Sequence, residues 1–175
     1  MPRLIALAVS VGLLAVAAVW LFGLDPLTAL KLQVWQAFIA WGCHFHSGGK
    51  FIGTRAAAVC MSFGAIVGMA AALLAGQLGQ LGALAAPVAV GLGAALIVLS
   101  SKLPLLATIP ASVYGFAAIF GLILLGSNMT PAMTPTAALL PTILSILIGA
   151  AFGYVSEVLA DALTKKAVAP ASAAA

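Results

Sequence analysis

Six apolar runs, separated by short stretches that end helices, make up nearly the whole chain. They cover about Leu4–Gly23, Leu27–Phe45, Thr54–Gly76, Leu84–Ser100, Leu103–Gly126 and Ala137–Leu159. Each comes close to the roughly 20 apolar residues a helix needs to cross the hydrocarbon core. Between them stand Asp25-Pro26, Ser47-Gly48-Gly49, Gly79-Gln80-Leu81-Gly82, Lys102-Leu103-Pro104 and the stretch from Ser127 to Pro135, all rich in breakers. The pattern predicts an all-α polytopic membrane protein, a bundle of six transmembrane helices in one domain over residues 1–163, with an Ala-rich disordered tail at 164–175. The first run follows Arg3 but has no cleavage segment, so it reads as a span rather than a signal peptide.

Composition narrows this to lipid. Of the 175 residues, 65% are hydrophobic and 6% charged, with mean hydropathy +1.27, more apolar surface than a soluble domain of this size can hide. Each span must then close its own backbone hydrogen bonds, which for clustered apolar runs means helices. The net charge of +4 comes from seven basic residues scattered between the runs, without the contiguous face a nucleic acid would need. They act instead as orientation signals. With six spans, Arg3, Lys50, Arg55, Lys102, Lys165 and Lys166 share one side and only Lys31 lies on the other. Both termini are therefore expected in the cytoplasm, with Lys31 reaching the opposite headgroups by its stem.

The halves resemble each other. Val9-Ser10-Val11-Gly12-Leu13 recurs as Val88-Ala89-Val90-Gly91-Leu92, Pro26 has a counterpart in Pro104, and Gly64 to Gly68 echoes Gly149 to Gly153. Three spans per half would make such a 3+3 repeat inverted in the membrane, a plan that in transporters puts the solute site near the midplane. Apolar low-complexity sequence also produces matches by chance, so both readings stay open.

Polar residues cluster on faces. At 100° per residue, Gln33, Gln36, His44 and Ser47 of the second run fall in one sector with Ala37 and Ala40, while Trp35, Phe38, Trp41 and Phe45 lie elsewhere. Amides and imidazoles are costly against lipid, so this stripe is expected to look inward, either as interhelical glue or as the lining of a path. The fifth run repeats the design with Ser101, Pro104, Thr108, Ser112, Gly115 and Gly126, and Pro110 is expected to free carbonyls at depth. Candidate pore or solute contacts are Gln33, Gln36, His44, Thr108 and Ser112, with Trp41 and Tyr114 as constrictions. Gly64, Gly68, Gly149 and Gly153 have the spacing that lets helices approach closely. Thr142, Ser145 and Ser156 extend that small stripe on the sixth run, where Glu157 and Asp161 are expected to pair with the terminal lysines. His44 and His46 point about 200° apart on a helix and cannot share a metal there. Cys43 and Cys60 have no metal or redox spacing. No catalytic constellation, cofactor motif or metal site emerges, and no enzymatic role is expected.

Trp35-Gln36-Ala37-Phe38-Ile39-Ala40-Trp41 with Phe45 and Ser47-Gly48-Gly49, the run Ile109-Pro110-Ala111-Ser112-Val113-Tyr114-Gly115-Phe116, and Phe152-Gly153-Tyr154 carry a resemblance. Together they resemble the domain of unknown function 1097 family of bacterial inner-membrane proteins, over about Leu4 to Leu163. The resemblance implies a multi-span inner-membrane protein and no particular substrate. Gly53-Thr54-Arg55 with Gly64 to Gly68 is also distantly similar to the membrane region of fusaric acid resistance and aromatic acid exporters. Two functions are carried forward: a permease or channel for an unknown neutral or weakly polar small solute, acting alone or as a homo-oligomer, and a non-transporting membrane subunit that scaffolds or regulates a partner complex.

Overall fold

The computed structural model describes residues 1–125 and 131–164, and every regular element among them is helical. The helices are α1 (Arg3–Phe22), α2 (Asp25–Ala29), α3 (Val34–His46), α4 (Lys50–Gln77), α5 (Ala85–Ser100), α6 (Ile109–Leu125) and α7 (Pro135–Leu163). Among the described residues, α1, α4, the run Gly79–Ser100 that contains α5, and α7 are long and apolar enough to cross a membrane. Their mean hydropathies of 2.0 to 2.6 are those of a membrane-embedded helical protein. Gly126, Lys165, Lys166 and the tail from Lys165 onward lie outside the described residues.

The second and fifth apolar runs are not continuous helices. In the second, α2 stops at Ala29, Lys31 adopts a left-handed backbone (φ 58°), Gln33 is extended (φ −118°, ψ 115°), and α3 starts afresh at Val34. Lys31 therefore sits in a break rather than near the end of an unbroken helix. In the fifth, Pro104–Leu106 makes one 3-10 turn, Thr108 leaves helical geometry (ψ 83°), and α6 begins at Ile109. Proline chemistry sets this second break. Pro104 holds Leu103 extended (ψ 127°), as the residue before a proline prefers. Pro110 falls in the first turn of α6, where a missing N–H removes no helical bond. It frees no carbonyl at depth, contrary to the sequence expectation. Pro141 stands buried inside α7, where its ring removes one backbone donor while the helix runs on through it.

The breaks shorten what remains. At 1.5 Å per residue the 13 residues of α3 span about 20 Å, less than the roughly 30 Å of hydrocarbon. Two π-helical stretches occur, Ala56–Cys60 within α4, which packs against α3 and α6, and Gly121–Leu125, which ends α6.

Packing places α4 at the centre, against α5, α6 and α7, while α1 and α3 both lie on α7. The core is built from small side chains, among them Ala40, Ala57, Ala65, Ala111 and Ala150, with Met61, Ile119 and Ile146 filling between them. Backbones touch where glycine allows it. A Cβ added at Gly64 would strike the Ser112 carbonyl of α6, and one at Gly149 would strike the Ala37 carbonyl of α3.

Some contacts recur at a fixed spacing along the chain. The buried residues of α1 are Ala6, Ser10, Ala18 and Phe22, and those of α5 are Ala85, Ala89, Gly93 and Ile97; Ala6, Ser10 and Ala18 match Ala85, Ala89 and Ile97 at 79 positions, whereas Phe22 and Gly93 have no such counterpart. Gly64 and Gly68 of α4 meet Ser112 and Ile119 of α6, whereas Gly149 and Gly153 of α7, each 85 positions later, meet Ala37 and His44 of α3, each 75 positions earlier than those α6 residues. Pro26 and Pro104 each open the short turn that precedes a broken helix.

Candidate functional site

The polar stripe of α3 faces α7, and the two helices are joined along their length by side-chain hydrogen bonds. At one end, the backbone N–H of Gln33 donates to Ser145 Oγ (2.9 Å). A turn further along, Gln36 Nε2 donates both to Thr142 Oγ1 (3.0 Å) and to the Ala118 carbonyl of α6 (3.0 Å), tying three helices together. Then Trp41 Nε1 donates to Ser156 Oγ (3.1 Å), whose own hydrogen goes to the Gly153 carbonyl (2.7 Å). The ring of Trp41 stacks between Phe38 and Phe152, at centroid distances of 5.7 and 5.4 Å. The seam ends at His44, whose Nε2 lies 2.9 Å from Glu157 Oε2.

Gly48, Gly49 and Lys50 turn the chain through three successive positive φ values (98°, 66° and 49°) into α4. That turn presents the first N–H of α4, that of Lys50, to the Glu157 carboxylate, so a residue of α7 caps α4 across the bundle. Glycine suits the angle here (φ 66°), and a Cβ at Gly49, 2.5 Å from Glu157 Oε1, would push the carboxylate aside. Gly53 makes room for the His44 carbonyl, and a Cβ at Gly153 would lie 2.6 Å from the His44 ring. On its other side His44 Nδ1 meets the Thr54 hydroxyl (3.1 Å), which also donates to the Lys50 carbonyl (2.8 Å). Arg3 of α1 pairs with Asp161 next to this cluster (3.4 Å), both well exposed. Among the described residues the acids of α7 pair with His44, the α4 N-terminus and Arg3, while the terminal lysines Lys165 and Lys166 expected to meet them lie outside the described residues.

The candidates named from sequence separate into two groups. Gln33, Gln36, Trp41 and His44 lie on the α3–α7 seam, all buried. Ser112 is buried on α6, its backbone against Gly64 of α4, and Thr108 stands half-buried at the start of α6. Tyr114 lines an open hollow of about 310 Å³ with Ile39, Gly42, Cys43 and His46, its ring edge-on to His46 at 5.9 Å. The two groups meet where α3 crosses α6. There Gln36 reaches Ala118, and a Cβ at Gly121 would run into the Trp35 ring. Because Nε2 must face the Ala118 carbonyl, the orientation of the Gln36 amide is fixed, and its Oε1 is left buried without a donor among the described residues. Ser112 Oγ and Ser62 Oγ share that condition.

Sequence reading missed the partners of the α3 stripe. Thr142, Ser145 and Ser156 were visible as a small-residue stripe of the sixth run, at the three- and four-residue steps of one helical face, and that face is the one that receives α3. Thr54 stood out only within Gly53-Thr54-Arg55, with nothing in the sequence to tie it to His44. Among the described residues no cluster of three metal-ligating side chains occurs.

A family model described as "Protein of unknown function (DUF1097)" matches residues 8–161. No curated protein and no solved structure matches the chain, so the distant likeness to the fusaric acid resistance proteins finds no counterpart here.

Proposed function

We propose, from the premise that the chain belongs to the DUF1097 family of proteins of unknown function, that it is a permease of the bacterial inner membrane for a small neutral or weakly polar solute. In this reading α3 and α6, with the short turns before them, are crossings two and five of six, and both termini lie in the cytoplasm with the basic end of the bundle. The two halves form an inverted repeat, and the solute passes where the broken helices α3 and α6 cross.

One observation carries the reading: a broken helix recurs at the matching place in each half, and at their crossing Gln36 keeps a buried acceptor unused. Leaving a buried carbonyl unpaired costs about 1–3 kcal/mol unless something donates to it in use. Interrupted helices at a repeat interface are the usual site of solute binding in secondary transporters. A neutral solute fits the lining because Gln36, Thr108, Ser112 and Tyr114 offer hydrogen bonds without net charge.

Purified protein in liposomes, followed by stopped-flow swelling across a panel of small neutral solutes, tests this. At least one solute should enter faster than into empty vesicles, and permeability equal to empty vesicles across the whole panel would rule the proposal out. The seam between α3 and α7 supports a second reading, because most of its polar groups are consumed in bonds that hold the bundle itself together. A non-transporting subunit would show a stoichiometric foreign partner in mild-detergent purification, together with silent vesicles.

A further inference from the structure

We propose that His44 and Glu157 form a proton-binding site, and that the bound proton fastens together the ends of α3, α4 and α7 at the basic end of the bundle. This assignment does not rest on the transport reading: it holds whether or not a solute crosses.

Hydrogen counting points to it. The His44 ring is fully buried, and each of its nitrogens has one partner. Glu157 Oε2, already accepting the Lys50 N–H, accepts a second hydrogen from Nε2 when the carboxylate is ionised. Thr54 has a single hydroxyl hydrogen and two neighbours, the Lys50 carbonyl and His44 Nδ1. A carbonyl only accepts. When the hydroxyl donates to it, Nδ1 must bring its own hydrogen, and the ring is then the doubly protonated imidazolium facing a carboxylate. When the proton leaves, Thr54 rotates its hydrogen to Nδ1, and the Lys50 carbonyl keeps the bonding of its own helix. One hydroxyl thus serves both states, so the ring can gain or lose a proton without stranding a buried nitrogen. The proton comes and goes through Glu157, the member of the pair with exposed side-chain surface (14%).

Charged groups nearby are few. Arg3 of α1 is within electrostatic reach of Glu157 but is engaged by Asp161 of α7. Lys50 and Arg55 of α4 are exposed, His46 of α3 turns away to Tyr114, and the N-terminal amine of Met1 donates to the Leu163 carbonyl. No second carboxylate among the described residues reaches the ring. Loss of the proton removes the positive partner from a carboxylate wedged between helices, which weakens its hold on the α4 N-terminus as pH rises.

The experiment uses full-length protein carrying His46→Asn, with 15N-labelled histidine, in lipid nanodiscs. Ring-nitrogen NMR should find His44 doubly protonated at the acid end of a titration between about pH 5 and about pH 9, and neutral at the alkaline end. Glu157→Gln should lower its proton affinity about tenfold or more. In the unsubstituted protein, amide exchange over residues 49–54, corrected for its intrinsic pH dependence, should accelerate in step with proton loss. A His44 ring that stays neutral throughout, a titration unmoved by Glu157→Gln, or exchange that ignores the titration would each overturn the proposal. The last of these uses the unsubstituted protein and needs no variant that has to fold.

Discussion

Replacing Gly149 with Ala places one methyl group where no atom fits, since its Cβ would fall on the Ala37 carbonyl of α3. A backbone atom cannot rotate out of the way, so α3 and α7 must separate or tilt. Overpacking of this kind costs about 1–3 kcal/mol. The separation also stretches the bonds from Gln33 N–H to Ser145 and from Gln36 to Thr142, which start at 2.9 and 3.0 Å. In a membrane bundle each such bond is worth roughly 0.6 kcal/mol. Against this, Ala gains about 0.5–1 kcal/mol over Gly in a helix interior. The net expectation is destabilisation by about 2 kcal/mol. Gly91 of α5 supplies the control, being helical and exposed with nothing within 4 Å of an added Cβ, so Gly91→Ala keeps only the propensity gain. Reversible unfolding in bicelles, monitored by tryptophan fluorescence, compares the two. If Gly149→Ala proves as stable as Gly91→Ala, the close backbone contact between α3 and α7 is wrong, and the seam built on it falls too.

Three further outcomes follow from the same geometry. Gln36→Leu loses two donated bonds but also removes the orphaned Oε1, so stability should change by no more than about 1 kcal/mol while any solute flux disappears; bicelle unfolding and vesicle swelling on one preparation separate these effects. Lys31→Gly should stabilise by about 0.5–1 kcal/mol, and Lys31→Val should destabilise, because the left-handed backbone at this break disfavours a branched Cβ; equal unfolding midpoints would refute the break. With the buried Cys43 and Cys60 replaced by Ala, a single cysteine at Lys31 should react with an impermeant maleimide from outside intact cells, and one at Lys102 only after permeabilisation. The reverse pattern would invert the proposed orientation.

How much could be read in advance depended on which forces act along one dimension. Hydrocarbon refuses unpaired backbone groups, so long apolar runs become helices whatever surrounds them, and α1, α4, α5 and α7 stand close to where hydropathy placed them. The same refusal turned Gln36 and His44 inward, to full burial. Glycines spaced by four announced close approach, and the structure uses all four of those named for it. A helical stripe, however, gives a direction without naming the neighbour that lies there. The α3 stripe meets α7, α6 meets α4, and Glu157 caps a helix that begins 107 residues before it in the chain. The breaks at Lys31 and Thr108 were hidden for a related reason. Hydropathy averages over a window and registers only how apolar a stretch is, while the choice between one long helix and two short ones depends on a few backbone angles and on which neighbour takes up the freed groups, as Ser145 does for Gln33.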